Sequence, residues 1–176
     1  MKITLFKNVR KKEVINRLGL QTLADIIRQS PEEKRVYKLR LEYQFYKPQR
    51  MADGQIVLDG VHTVNLPRVC FALECDNYKE RHRVLGYNGL VVIEVNELKR
   101  YEDAVAVRNQ VARMDETLMA FLGASGKSVK IVCRGELFKE EGKTLPSDEA
   151  EIRQFHKNLY ETARRAYQNQ FGLEME

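Results

Sequence analysis

Two pairs of residues in this chain have the types and spacing to act together. Glu94 and Asn96 stand two apart at the end of the apolar run Gly89-Leu90-Val91-Val92-Ile93-Glu94-Val95-Asn96. Side chains alternate along a strand, so both project from one face. Oxygen ligands placed this way can hold Mg²⁺ or Mn²⁺, although one carboxylate beside a neutral amide makes a weak cage. Lys130 and Arg134 share one face of a second apolar run, Val129 to Arg134, which follows Ser125-Gly126-Lys127-Ser128. Small turn residues let backbone N–H groups approach a phosphate, and Lys127 adds a point charge. Ser125, Gly126, Lys127, Lys130 and Arg134 are therefore candidate phosphate or nucleic-acid contacts. Stretches of this kind are more often plain hairpin turns followed by a solvated basic strand.

Several other chemistries are excluded. The turn is not a P-loop, because the first glycine of that motif would fall on Phe121 and a strand rather than a helix follows. Cys70, Cys75 and Cys133 form no C-x-x-C pair, and Cys70 and Cys133 lie in apolar runs that suit buried thiols. His62, His82 and His156 have no metal-ligand spacing. No apolar run reaches transmembrane length and no signal-peptide pattern opens the chain, so no membrane role and a cytoplasmic location are expected.

The net charge of +5 is uneven. Residues 1–50 hold 13 Lys and Arg against 5 Asp and Glu, while the remainder carries a slight negative balance. A basic first third suits a nucleic-acid face, and equally a solvated helical surface.

The elements that must position these groups read in order. Residues 2–6 make a short strand, and 8–13 a basic loop. Leu18, Leu20, Leu23, Ile26 and Ile27 fit a helix of about ten residues. Ser30-Pro31-Glu32-Glu33 is a capping box opening a second helix that stops before Lys47-Pro48. Residues 47–65 are a polar connection with a short strand at Ile56-Val57-Leu58 at most. A strand follows at 66–74, then a polar helix or turn over 76–86, then the strand ending at Asn96. A helix over 101–114, strands at 118–123 and 129–134, and a long helix with Ser147 as N-cap complete the chain. The order β-α-α-β-β-α-β-β-α predicts a single α+β domain, a mostly antiparallel sheet packed with helices.

The succession Leu66-Pro67-x-Val69-x-Phe71, Tyr87 to Leu98 and Ser125 to Val132 resembles the N-terminal domain of bacterial VirE-type (virulence-associated protein E) proteins, and so the archaeo-eukaryotic primase and primase-polymerase fold. His156 and Phe171-Gly172-Leu173 fit the same pattern. That resemblance implies an RRM-like sheet, a D-h-D acid pair holding two metals, a phosphate-binding turn, and a helicase or other replication protein of a mobile element or phage as partner. Here Glu94 and Asn96 stand at the acid positions, Ser128 replaces a glycine, Lys130 replaces a histidine, and Glu176 falls near the last acid. The expectation is thus a primase-like domain that binds single-stranded DNA or nucleotide and is catalytically degenerate. The alternatives are a protein-interaction module with a vestigial site, or an active Mg²⁺- or Mn²⁺-dependent nucleotidyltransferase.

Overall fold

The computed structural model describes residues 1–8, 13–29, 31–45, 49–50, 56–57, 66–78, 81–137 and 144–175. Its centre is a three-stranded sheet of β8 (Leu90–Val95), β10 (Val129–Arg134) and β9 (Thr117–Leu122), with β10 in the middle and both pairings antiparallel. The apolar alternation of these strands gives each face its own core. On one face Val91, Ile93, Val95, Val129, Ile131 and Cys133 pack against α3 (Tyr101–Val111) and α4 (Glu149–Phe171). Ala104, Val107 and Val111 of α3 and Leu159, Ala163 and Tyr167 of α4 complete this layer. Tyr167 is fully buried, and its hydroxyl meets Thr117 Oγ1 at 2.7 Å while Thr117 donates to the Val111 carbonyl. A buried hydroxyl without a partner would be costly, and here it has one.

The opposite face begins with Leu90 and Val132, which share a second core with Ile3, Leu18, Leu23 and Phe71. These come from a second three-stranded sheet, with β1 (Ile3–Phe6) between β2 (Val14–Leu18) and β5 (Arg68–Cys70), and from α1 (Leu20–Gln29) and the bend after β5. Two short two-stranded sheets are also present among the described residues: β3 (Gln49–Arg50) with β4 (Ile56–Val57), and β6 (Leu73–Tyr78) with β7 (Arg81–Tyr87). The buried Thr4 stitches β1 to β6, donating to the Leu73 carbonyl at 3.0 Å and accepting from Cys75 N–H at 2.7 Å. Every strand pairing among the described residues is antiparallel, so the α+β class expected from the sequence holds.

Local expectations need correcting in five places. The single strand expected over 66–74 is broken by a bend at 71–72 into β5, which pairs with β1, and β6, which pairs with β7. Residues 76–86 belong to a hairpin, not a helix or turn. Its polar strands are registered by cross-strand partners such as Asp76 and Arg83, which hide the strand pattern. Leu18 closes a strand opposite Ile3 instead of opening α1, because β1 needs an edge partner. Asp148, not Ser147, caps α4, accepting from Ala150 and Glu151 N–H at 2.9 and 3.2 Å. The buried thiols are Cys75 and Cys133, while Cys70 is half-buried. Ser30, the expected cap of α2 (Glu33–Phe45), and the turn signals at 53–54 and 59–60 lie outside the described residues. Among the described residues, no helix is long and apolar enough to cross a membrane.

Candidate functional site

β8 and β10 place Glu94 directly opposite Lys130. The two side chains close an ion pair, Oε2 to Nζ at 2.6 Å, with side chains 28% and 36% exposed. The candidate metal ligand and the candidate phosphate ligand are thus each other's partners. Asn96 follows on the same face, and Phe121 on β9 flanks Lys130 from the other side. The face looks into an open cleft of about 2120 Å³, bounded by α1, α2, β5 and the central sheet. Small-molecule sites run to about 300–1,000 Å³. This open surface is larger than such a site.

The turn after β9 is built tightly. Gly123 N–H donates to Ser128 O at 2.8 Å and Gly126 N–H to Gly123 O at 3.0 Å. Lys127 N–H donates to Ser125 Oγ at 3.2 Å. Gly126 has φ +74°, the left-handed region that favours glycine. Ser128 is buried, and its hydroxyl fills the space a Cβ at position 123 would need. The N–H groups of Gly126 and Lys127 are therefore engaged within the turn and do not form the phosphate cradle expected of it.

One side chain at this turn escaped the sequence reading. Arg40 of α2 reaches across to the turn, donating from Nε to the Ala124 carbonyl at 3.3 Å. Its guanidinium lies 5.6 Å from the centre of the Tyr101 ring, a cation–π contact. Tyr101 is 47% exposed. The only sequence signal for this contact was the basic, tyrosine-containing helix 33–45, because Arg40 and Tyr101 are far apart in the chain.

The structure therefore gathers Glu94, Asn96, Ser125, Ser128 and Lys130 along the cleft, with Arg40 and Tyr101 beside them. Lys127 and Arg134 are exposed but line no part of it, and Arg134 sits at the far end of β10 opposite Leu90. Glu176 lies outside the described residues. Among the described residues, no group of three or more His, Cys, Asp or Glu side chains converges as a metal cage. Glu94 bonds Lys130 and Asn96 brings no charge, so these residues do not fit a two-metal centre.

A second polar cluster lies where β7 meets α4. Tyr87 OH is 3.1 Å from His156 Nδ1, and the rings meet edge to face. Burial pushes the Tyr87 hydroxyl up to about 12 and lowers His156 from its ordinary value. Burial likewise pushes the Cys133 thiol up to about 12, so it is not a nucleophile near neutral pH.

No curated protein matches the chain, and no solved structure does. A family model does match, over residues 62–176, about two thirds of the chain, and it is not the VirE-type model that the motifs suggested. The primase kinship and the replication partners drawn from that resemblance lose their basis with it. By this match the chain belongs to the BT4734-like, N-terminal domain family.

Proposed function

We propose that this domain binds single-stranded nucleic acid or a nucleotide in the cleft, without nucleotidyl transfer. The observation that carries this reading is that the Arg40–Tyr101 cation–π contact and the Glu94–Lys130 pair border the same open cleft. Non-sequence-specific single-strand sites combine cations that track the phosphates with aromatic faces for the bases. Arg40 and Lys130 supply the charge, and Tyr101 and Phe121 the rings. The pairing of Glu94 with Lys130 supports binding over catalysis, because metal-dependent phosphoryl chemistry needs carboxylates that no lysine occupies.

The apolar part of the cleft, with Ile26, Ile27, Phe71 and Val92, favours a second reading, a peptide-binding module. Fluorescence anisotropy of a labelled single-stranded oligonucleotide, titrated at low and high salt, separates the two. Nucleic-acid binding is expected to weaken with salt and with Lys130→Ala. No binding at low salt would reject it and turn attention to protein partners.

A further inference from the structure

The outer face of α2 has a composition that the cleft alone does not use. Lys34, Tyr37, Lys38 and Leu41 fall at i, i+3, i+4 and i+7, one stripe of a helix. Leu39 faces inward, 4% exposed, and Val36 and Arg40 are half-buried beside it. Tyr37 is 63% exposed, a higher exposure than that of Tyr101, and Leu41 is 37% exposed. The two lysines bracket the ring, one at i−3 and one at i+1. Among the described residues neither has a carboxylate at ion-pair distance, whereas Arg35 on the same helix is paired with Glu32 at 3.0 Å. A basic surface helix is ordinarily just solvated. An aromatic ring left in water between two cations is less ordinary, since it leaves apolar surface unburied.

The stripe also runs into the cleft. Arg40 is one turn on from Tyr37, and Arg40 lies against Tyr101. Lys34 and Tyr37 themselves stand on the cleft rim. Tyr37, Arg40 and Tyr101 thus make a row of ring, guanidinium and ring on the rim of the cleft that the Glu94–Lys130 pair also lines.

We infer that a single strand of nucleic acid held in the cleft continues over α2, with a base stacked on Tyr37 and its flanking phosphates on Lys34 and Lys38. This rests on the cleft reading above and adds a second contact region to it. Two such regions explain why the site would prefer a polymer to a nucleotide, since single-strand sites span about 4–16 nucleotides.

The test compares a short oligothymidylate that fills only the cleft with one long enough to cross α2, by competition against a labelled strand. Tyr37→Ala is expected to weaken the long strand about tenfold and the short one by much less, because the stacking contact removed stands on the rim and not on the floor of the cleft. Tyr37→Phe keeps the ring and is expected to restore binding. Lys34→Ala with Lys38→Ala should lower the salt dependence for the long strand only. Equal affinity of Tyr37→Ala and parent for the long strand, with Arg40→Ala still weakening both, would overturn the α2 path and leave the cleft reading standing. Failure of the parent to bind either strand would overturn both. Poly-glutamate competing as well as the long strand would show a general polyanion surface and overturn the stacking role.

Discussion

Glu94 should act against ligand binding, and replacing it by Gln should tighten the complex. Its carboxylate holds Lys130 at 2.6 Å, so a phosphate approaching Lys130 comes within about 5 Å of a like charge. At that separation the repulsion is about 1–3 kcal/mol for an effective dielectric between that of water and that of a protein surface. The pair is roughly one third exposed, which places the effect near the lower end, about 1 kcal/mol or some fivefold in affinity. Glu94→Gln keeps the shape, removes the repulsion and releases a cation. The salt dependence should therefore steepen by about 0.7 in slope, the value for one more phosphate contact on a single strand. Anisotropy titrations at several salt concentrations read both quantities. A thermal melt checks the fold, since losing a half-exposed pair costs at most about 1 kcal/mol. A folded Glu94→Gln that binds no more tightly than the parent, with an unchanged slope, would refute Lys130 as a phosphate contact.

Three further outcomes follow from the packing. His156 is half-buried and its folded-state value is lowered, so its neutral form contributes stability above the ordinary value of about 6.5, lost as pH falls through the lowered value. Melting temperature should drop as pH falls below the ordinary histidine value of about 6.5, and His156→Gln should flatten that drop; an equal drop in both proteins would exclude His156 as its source. Tyr167→Phe removes a buried hydroxyl whose partner Thr117 keeps its bond to the Val111 carbonyl, so a loss of about 1 kcal/mol is expected in urea unfolding. Gly135→Ala would drive a methyl into the Gly89 carbonyl and to within 2.8 Å of Leu159 Cδ1, and should cost about 2–3 kcal/mol; a neutral result would mean that the crossing of β10 past Gly89 is looser than described.

The sequence was most legible where burial was complete. β8 and β10 are near-continuous apolar runs because one face meets α3 and α4 and the other meets the second core, so their limits were readable to within a residue. It was least legible where strands are polar on both faces. The β6–β7 hairpin is held by cross-strand pairs that only register reveals, and β2 exposes Ile15 and carries Asn16 and Arg17. The same limit applied to the site. Glu94 and Lys130 were each singled out, but as ligands for different species, since their partnership depends on strand register. Arg40 was not legible as a site residue, because its contact with Tyr101 joins parts of the chain far apart in sequence. The motif order placed the chain in the wrong family because short apolar and glycine motifs recur among unrelated sheets.

The reach of Arg40 to the Ala124 carbonyl has a consequence for how this molecule relates to its kin. The segment matched to the family starts at residue 62, yet α1 and α2, the wall of the cleft, come before it. Glu94 and Lys130 lie within the matched segment, while α1 and α2 lie before it. Cutting the protein at the family boundary would strip Ile3, Leu18 and Leu23 from Phe71, Leu90 and Val132, leaving an oily face where a core had been. The matched segment and the unit that closes the second core therefore do not coincide in this chain.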